Sequence, residues 1–395
     1  MKNAIREIAQ AMHQTDPESS FAVRFWDDEL YQIGDTPAFT LWFKDKDAAS
    51  RTLADGFLGF GEGYMTKGIE VEGDLQLLFK LGFLVGYTKH KMSLGAKIRI
   101  LINYFINQNT LTGSRKNISH HYDVGNDFYE RILGPSMAYT CAYYKDDNNT
   151  LEEAQNHKFD LICRKLRLKE GESLVDFGCG WASLLIYAAQ NYGINGVGVT
   201  LSKEQYEYGM NKIANLGLQD RIRVELKDYR DLEGQFDKVV SVGMLEHVGL
   251  KFLPVFFKKV KQILKPGSLA LIHMMGNDEL HDADPWTEKY MFPGGQILDL
   301  TNMIGGICNE KMNVIDVDNL RLNYEQTIFH WLENFTTHID WISENYGEEL
   351  ARSYYLYFHV SAASFRYGDN RLFHILFSNG LNNDMPLTRE YMYNQ

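Results

Sequence analysis

The sequence has little cysteine, and its four cysteines stand far apart. Cys141, Cys163, Cys179 and Cys308 form no C-x-x-C pair, which argues against both a zinc site and a disulfide framework. The first residues, MKNAIREIAQ, lack the apolar core of a secretory signal. We therefore predict a cytoplasmic, reducing compartment and no bound metal.

A long apolar run and an excess of basic residues are also missing. No window approaches the roughly 20 apolar residues that are needed to cross a bilayer. The chain has 40 Lys and Arg against 52 Asp and Glu, a formal net charge of −12, whereas nucleic-acid-binding proteins usually carry a basic surface. Internal repeats and a low-complexity tail are absent as well. These absences predict a soluble, globular protein with no nucleic-acid partner.

The length and the hydrophobic content favour two domains. A chain of 395 residues is too long for one minimal domain, and 45% hydrophobic residues can form sizeable cores. The polar run NQNTLTGSRKN (107–117) interrupts a helical pattern, so we predict domains at 1–110 and 111–395. In the first domain, FAVRFWD and PAFTLWFK have the pattern of strands, and helices follow them.

Charge is distributed unevenly along the chain. Residues 1–74 carry seven Lys/Arg and fourteen Asp/Glu, whereas residues 75–122 carry seven Lys/Arg and no acidic residue. In LGAKIRILINYFINQ the apolar residues fall near helical spacing beside the cations. A basic amphipathic helix favours an anionic phospholipid bilayer surface, although a core-facing helix with a solvated basic face is the alternative. We predict peripheral association with the inner face of the cell membrane, and a homodimer stays open.

From Ser173 onward the pattern alternates strand and helix, as in a parallel α/β sheet. The strand SLVDF enters a turn at Gly178–Gly180, where glycine lets a cofactor approach the backbone beside a helix N-terminus. Two departures argue against a dinucleotide: Ser183 replaces the third glycine of G-x-G-x-x-G, and the second strand ends in Thr200 instead of a ribose-binding acid. Gln205, one turn into the next helix, is the predicted ribose partner.

Several segments together carry a family resemblance. They are SHHYDVGNDFYERILGPSMAYTCAYY (119–144), DFGCGW (176–181), TLSKEQ (200–205), LEHVG (245–249), LIHMMG (271–276), KYMFPGG (289–295) and NYEQTIFHWLENF (323–335). From about Arg115 to the C-terminus the chain resembles the cyclopropane-fatty-acid synthases and the mycolic acid cyclopropane synthases, which are S-adenosylmethionine-dependent methyltransferases. The preceding unit resembles the N-terminal extension of the phospholipid-modifying members. The resemblance implies an α/β, Rossmann-like methyltransferase sheet with a helical lid inserted from about Asp278 to Asn309.

The resemblance also assigns site residues. The contacts of S-adenosylmethionine would be Tyr139, Thr140, Gly178, Gly180, Thr200, Leu201, Gln205, Leu226 and Lys227, of which the last two would flank the adenine. The family's proton acceptor, a bound bicarbonate ion, would be held by Cys141, Glu246, His273 and Tyr324, with the backbone N–H of Met275 nearby.

The sequence departs from the family pattern at four places. Thr140 replaces a serine, Ala182-Ser183 replaces two glycines, PGGQILD (293–299) replaces PGG-x-LPS, and Ser361 stands where members of the family carry a cysteine. The change in residues 293–299 puts the conformation of that loop in doubt. The serine removes any thiol nucleophile from the C-terminal helix.

The proposed chemistry explains these residue types. An alkene has no proton to activate, so methyl transfer depends on the sulfonium leaving group and on orientation. Attack leaves a carbocation, which aromatic faces stabilise by roughly 0.5–2 kcal/mol each and shield from water. Ring closure then removes a proton from the new methyl group, for which a weak base such as bicarbonate is sufficient. A buried anion of this kind needs hydrogen-bond donors around it.

We therefore predict an enzyme that uses S-adenosylmethionine to cyclopropanate cis double bonds in the acyl chains of membrane phospholipids. One alternative is a methyltransferase of the same family that makes a methyl-branched lipid or methylates a small amine. Another is a lipid-carrying or membrane-docking protein with a degenerate cofactor site, against which the intact D-x-G-C-G motif argues. Structural roles also stay open for Cys141 as a buried hydrophobe, Glu246 as a helix-dipole partner and Tyr324 as a core residue; for His121, a structural and a functional role are equally open.

Overall fold

The computed structural model describes residues 1–86, 124–278 and 284–393. None of the helices in these ranges is long and apolar enough to cross a membrane. The chain packs as two units, whose described residues are 1–86, 284–293 and 328–369 for the first and 124–278, 294–327 and 370–393 for the second.

The predicted division at 110/111 assigns residues 284–293 and 328–369 to the second domain, whereas these residues pack with the first unit. The predicted boundary itself lies outside the described residues, as do His121 and the basic residues from Lys89 to Lys116. The boundary and the structure of the basic segment therefore stay predictions.

The helices and strands of the described ranges are numbered here in chain order. The helices are α1 (Lys2–Thr15), α2 (Lys46–Asp55), α3 (Phe57–Met65), α4 (Leu75–Val85), α5 (Asn126–Leu133), α6 (Leu151–Lys165), α7 (Ser183–Tyr192), α8 (Lys203–Asn215), α9 (Leu253–Ile263), α10 (Pro285–Tyr290), α11 (Leu300–Asn309), α12 (Arg321–Thr337), α13 (Ile339–Tyr346), α14 (Glu348–Tyr367) and α15 (Glu390–Tyr393). The strands are β1 (Phe21–Arg24), β2 (Leu30–Ile33), β3 (Phe39–Phe43), β4 (Ile69–Gly73), β5 (Ser173–Phe177), β6 (Asn195–Thr200), β7 (Ile222–Leu226), β8 (Phe236–Val242), β9 (Leu264–Asn277), β10 (Leu298–Asp299), β11 (Asn313–Asn319) and β12 (Asn370–Ser378).

The first unit contains a four-stranded sheet in the order β2-β1-β3-β4. The segments FAVRFWD and PAFTLWFK form β1 and β3, as the strand pattern predicted, and these two strands pair in parallel. Asp74 begins α4 by accepting a hydrogen bond from the backbone N–H of Leu77 at 3.0 Å, which satisfies a free donor of the first turn. Lys80 on α4 forms an ion pair with Asp16 at 2.6 Å.

The second unit is built on an eight-stranded sheet in the order β11-β12-β9-β8-β5-β6-β7, with β10 beside β9. The pairs from β9 to β7 are parallel, and β12 runs antiparallel to both β9 and β11. The five strands that the sequence predicted are β5 to β9, which confirms the α/β class; β10, β11 and β12 were not predicted. The proposed insertion between Asp278 and Asn309 contains α10, β10 and α11.

The two faces of this sheet are covered differently. On β9, Ala270, Ile272 and Met274 belong to one apolar cluster, and Leu269 and Leu271 belong to another. Because successive strand residues face opposite sides, these clusters mark the two faces. The second cluster includes the inner residues of α6 and α7. By the same alternation, Asp176 on β5, His273 on β9 and His374 on β12 lie on the face that α6 and α7 cover.

Candidate active site

A pocket lies at the carboxyl ends of β5 and β6, beside the switch point between β5 and β8, from which the chain order runs in opposite directions across the sheet. Open α/β sheets usually bind ligands at this switch point. Its lining includes eight of the nine predicted cofactor residues: Tyr139, Thr140, Gly178, Gly180, Thr200, Leu201, Gln205 and Lys227. The ninth, Leu226, ends β7 with 49% of its surface exposed and does not line the pocket.

The turn after β5 has a backbone that favours glycine. Gly178 has φ +75° and Gly180 has φ +53°. A Cβ on Gly178 would lie 2.8 Å from Cγ of Met244, whereas a Cβ on Gly180 would meet nothing within 4 Å, so it would project into open space. Ala182, where the family has glycine, also has a positive φ of 65°, which is strained for a residue with a Cβ.

Gln205 is held in place by its neighbours. Ser202 begins α8 by accepting the backbone N–H of Gln205 at 3.2 Å, and the Thr200 hydroxyl donates to Gln205 Oε1 at 2.8 Å. With Oε1 occupied, the Nε2 amide is the group that Gln205 can offer to a ligand. Because Gln205 lines the pocket, it can donate a hydrogen bond to a ribose hydroxyl.

Residues of α6 form another wall of the pocket. Thr150 and Glu153 begin α6 with a reciprocal capping box. One turn in, the buried Gln155 donates from Nε2 to the backbone oxygen of Thr140 at 2.9 Å, and Lys158 donates from Nζ to Oγ1 of the same threonine at 2.8 Å. Lys158 and Thr140 both line the pocket.

Lys158 and Asp176 are buried charged residues of the pocket wall, and neither was predicted as a site residue. Burial lowers the pKa of the Lys158 ammonium and raises the pKa of the Asp176 carboxyl. Asp176 Oδ1 has no hydrogen-bond partner among the described residues. A signal for Lys158 exists in the sequence, because it continues the row of buried residues Leu151, Ala154, Gln155, Leu161 and Ile162 on α6.

Two other lining residues were also missed. Asp228 is buried and accepts two side-chain hydrogen bonds from Arg230, at 2.8 and 2.7 Å. His247 follows Glu246 in a short 3-10 helix, and burial lowers the pKa of its imidazole to about 4, so it is neutral at pH 7. Both lie at the carboxyl end of a strand, β7 and β8 respectively, which is the position that a parallel sheet favours for ligand contacts.

The residues of the predicted bicarbonate site do not line this pocket. Among them, Glu246 accepts the backbone N–H of Met275 on β9 at 2.6 Å through Oε1. The backbone oxygen of Glu246 accepts the N–H of Gln296 at 2.8 Å, and Gln296 Oε1 accepts the N–H of Leu250 at the same distance. Gln296 was not predicted, and it fixes the loop that carries Glu246.

The loop that ends in Asp299 also has a defined conformation. Asp299 begins α11 and accepts the backbone N–H of Asn302 at 2.9 Å. Serine and aspartate are both favoured at this capping position. The replacement of the family's serine is therefore explained by an equivalent helix cap.

The Cys141 thiol and the backbone N–H of Tyr324 both contact the backbone oxygen of Leu320. The fully buried Cys141 thiol donates to the backbone oxygen of Ala142 at 3.1 Å and lies 4.0 Å from that of Leu320, which also accepts the N–H of Tyr324 at 3.2 Å. Burial raises the pKa of the thiol far above its usual value, so Cys141 is neutral. The N–H of Leu320 donates to Leu372 on β12 at 2.8 Å, and Leu372 is paired with Met275. The backbone of Leu320, which Cys141 and Tyr324 contact, is thus hydrogen-bonded to β12 beside Met275 on β9.

His273 faces a second histidine. His374 is its direct partner in the pairing of β9 and β12, and His273 Nδ1 lies 2.7 Å from His374 Nε2. Both rings are buried, which lowers the pKa of each well below its usual value. Two neutral imidazoles share one proton in this hydrogen bond. His374 was not predicted, because it depends on the register of β12.

Three observations indicate that the pocket fits S-adenosylmethionine. The glycine turn leaves open space above Gly180, Gln205 can donate to a ribose, and the buried carboxylate of Asp176 has an oxygen without a partner in the described part of the chain. An ammonium group such as that of the methionine part is a suitable partner for such an oxygen.

Comparison with known proteins identifies the family of the chain. The family model described as mycolic acid cyclopropane synthetase matches residues 109–375, and a domain of unknown function matches residues 8–94. The chain is 35% identical to the cyclopropane-fatty-acyl-phospholipid synthase of Escherichia coli K12, over 90% of this chain and 92% of that protein. It is 33% identical to a probable fatty acid methyltransferase of Pseudomonas putida, over 94% and 95%.

Solved structures lead to the same family. The structure of mycolic acid cyclopropane synthase CmaA1 complexed with SAH and CTAB superposes with a TM-score of 0.64 and 28% identity, over 67% of this chain and 98% of that one. Sheet order, glycine turn, family match and sequence identity are thus consistent with one another. The chain belongs to the mycolic acid cyclopropane synthetase family and is an S-adenosylmethionine-dependent methyltransferase that acts in lipid metabolism.

Proposed function

We propose that this methyltransferase cyclopropanates cis double bonds in the acyl chains of membrane phospholipids and uses bicarbonate as the base. The observation that carries the proposal concerns two buried polar atoms, Glu246 Oε2 and His273 Nε2. Glu246 is hydrogen-bonded to Met275, which lies two residues from His273 on β9. Neither atom has a hydrogen-bond partner among the described residues. Buried polar atoms are nearly always paired, so unpaired ones near a predicted site favour a ligand.

Bicarbonate is suited to these two atoms. Its O–H group can donate to the Glu246 carboxylate, and its charged oxygens can accept from an N–H of His273. Burial raises the pKa of Glu246 to about 7, so this carboxyl can exchange a proton with the ion near neutral pH. The hydrogen of the neutral Cys141 thiol is directed to the backbone oxygen of Ala142. The S-adenosylmethionine sulfonium supplies the methyl group, and these residues hold the proton acceptor.

In this proposal, His374 sets the tautomer of His273. For His273 Nε2 to donate to an anion it must carry hydrogen, which leaves Nδ1 bare. His374 Nε2–H then donates across the 2.7 Å contact, and His374 Nδ1 is bare as well. That nitrogen has no partner among the described residues, and a buried acceptor without a partner is more often tolerated than a buried N–H without one.

The decisive experiment is lipid analysis after expression in a host that makes no cyclopropane lipids. We expect acyl chains heavier by about 14 Da, the mass of CH₂, with loss of alkene signals and appearance of upfield cyclopropane protons by NMR. The Glu246→Gln chain in the same host is the matched control. A methyl-branched chain, or a head group that gains the mass while the alkene persists, would replace cyclopropanation by one of the alternatives.

We also propose that the partner surface is an anionic bilayer. The support is the acid-free segment 75–122, of which residues 75–86 are described. Here α4 ends with Leu84 and Val85 exposed at 45% and 36%, while the charge of Lys80 is compensated by Asp16. Electrostatic attraction would therefore come from the six basic residues that follow, and apolar contact could begin at the end of α4.

A further inference from the structure

Lys158 is a buried lysine in the wall of the cofactor pocket, and its ammonium lies 4.5 Å from the centre of the Phe159 ring. Its side chain is 1% exposed and lines the pocket. No carboxylate of the described residues forms an ion pair with it. The contrast is Lys165, two turns later on α6, whose ammonium lies 3.0 Å from Asp318 and 3.4 Å from Asp316. The Asp176 carboxylate acts on Lys158 from beyond ion-pair distance, and burial lowers the pKa of the Lys158 ammonium to about 7. A bound anion close to Lys158 would therefore favour its charged form.

Thr140 is oriented by its surroundings so that it can connect Lys158 with a ligand. Its Oγ1 accepts from Lys158 Nζ at 2.8 Å, which leaves the hydroxyl hydrogen to donate elsewhere. Its Cγ2 methyl fills the space next to Gly243, where a Cβ would approach to 2.6 Å. Because contacts with Lys158 and Gly243 fix the hydroxyl oxygen and the methyl group of Thr140, this residue can direct its O–H into the pocket that it lines.

The position in the sheet indicates which part of the cofactor meets Thr140. Gln205 follows β6 and Lys227 follows β7, so the ribose and adenine contacts run along the sheet from β5 toward β7. The methionine part then lies on the other side of the β5 turn, where Thr140 and Lys158 are. The carboxylate is the one anionic group of S-adenosylmethionine.

We infer that Lys158, acting through the Thr140 hydroxyl, is the positioning residue for the carboxylate of the cofactor's methionine part. A hydroxyl that accepts from an ammonium is polarised and donates more strongly to an anion. Lys158 thereby also fixes the depth at which the methionine part enters the pocket. The inference rests on the cofactor of the family and is independent of the lipid acceptor.

The test compares two ligands that differ only in this carboxylate, S-adenosylmethionine and its decarboxylated form. Their affinities are measured by calorimetry on the full chain without lipid. We expect the wild type to prefer S-adenosylmethionine by about tenfold or more, the usual effect of a hydrogen-bonded charged group. Lys158→Met keeps the length of the side chain, and it should reduce that preference to about twofold without weakening the binding of the decarboxylated ligand.

Lys165→Met is the matched control, since it removes a second fully buried lysine of α6 that does not line the pocket. It should destabilise the fold and keep the preference for the carboxylate. Thr140→Val, which keeps the shape but removes the hydroxyl, should lose the preference as Lys158→Met does, and the double variant should lose no more. This second variant keeps the inference testable if Lys158→Met does not fold.

Three outcomes would overturn the inference: a wild type that binds both ligands equally, a Lys158→Met chain that keeps the preference, or an equal loss for both ligands. An unchanged preference in Thr140→Val would overturn the route through the hydroxyl. None of these results depends on which lipid is methylated, so they are separate from the test of cyclopropanation.

Discussion

Glu246 has one oxygen fixed by the Met275 N–H and one without a partner among the described residues. Glu246→Gln keeps the size and the first hydrogen bond but removes the charge. We expect a large loss of turnover with near-normal S-adenosylmethionine affinity, because the pocket residues remain. Bicarbonate depletion should slow the wild type and affect the variant much less, since groups that act as one unit are not additive.

The measurement is an activity assay of both proteins in carbonate-free and carbonate-supplemented buffer, with calorimetry of cofactor binding. Full activity of Glu246→Gln, or equal carbonate responses of the two proteins, would assign proton removal to another route.

We also predict that Glu246→Gln changes the stability of the protein in a pH-dependent way. The pKa of Glu246 is raised from 4.5 to about 7 by burial, so the folded state holds this proton more tightly than the unfolded chain does. Its contribution to stability therefore falls as the pH rises from 4.5 to 7. Glu246→Gln should gain stability relative to the wild type over that interval, on the order of 1–3 kcal/mol above pH 7. Urea unfolding at pH 5 and pH 8 measures it; a pH-independent difference would contradict the cause.

The role of His374 can be tested by replacing it with a residue that keeps or removes the hydrogen-bond donor to His273. His374→Gln keeps an N–H donor for His273 Nδ1, whereas His374→Leu removes it. We expect the glutamine variant to keep most of the activity and the leucine variant to require more bicarbonate for half-maximal rate. Nitrogen-15 NMR of the histidine rings should show a protonated Nε2 on His273 in the wild type. A protonated Nδ1 would refute the proposed tautomer, whatever the activity.

At the scale of one element, substitutions in the turn between β5 and α7 can distinguish backbone strain from contact with the ligand. Gly180→Ala introduces a left-handed alanine at φ +53° and a Cβ in the open space of the pocket. It should lose about 1 kcal/mol of unfolding free energy and bind S-adenosylmethionine much more weakly. Gly178→Ala should destabilise more, since its Cβ would also overlap Met244.

Gly217, which follows α8, supplies the control for this turn. It has φ +67°, is exposed and has nothing within 4 Å of its ideal Cβ. Gly217→Ala should lose a similar free energy of unfolding without any change in cofactor affinity. If Gly180→Ala binds the cofactor as tightly as Gly217→Ala does, the turn does not contact the ligand.

For the whole molecule, the contrast between an acidic chain and an acid-free basic segment predicts salt-dependent membrane binding. Each cation near an anionic surface contributes about 1 kcal/mol, screened over roughly 8 Å at physiological salt. Lys→Glu changes at Lys89, Lys91 and Lys97 should therefore weaken binding to anionic vesicles strongly, and high salt should weaken binding of the wild type. Vesicle flotation at low and high salt measures both effects.

The control changes net charge by the same amount elsewhere, at the exposed Lys203, Lys251 and Lys258. These lysines lie in the second unit, outside the basic segment, so this variant should keep most of the binding. Salt-independent binding to neutral vesicles would show that the electrostatic explanation is wrong.

Local sequence was sufficient to predict the central strands and the glycine turn of the second unit. The strands β5 to β9 follow from short runs of Val, Ile and Leu, because such residues favour a buried parallel sheet. The glycine turn and the start of α8 follow from backbone preferences that span only a few residues. For this reason the pocket at the ends of β5 and β6, with eight of its predicted residues, could be anticipated.

Long-range packing decided the rest. His374 meets His273 only because β12 inserts between β9 and β11 in one register, and a shift by one residue would turn it to the other face. Lys158 reaches Thr140 only because α6 packs with its buried row against the sheet. The segments 284–293 and 328–369 join the first unit although they follow the glycine turn in the chain. Contacts between distant residues depend on register and packing, which no short segment of sequence encodes.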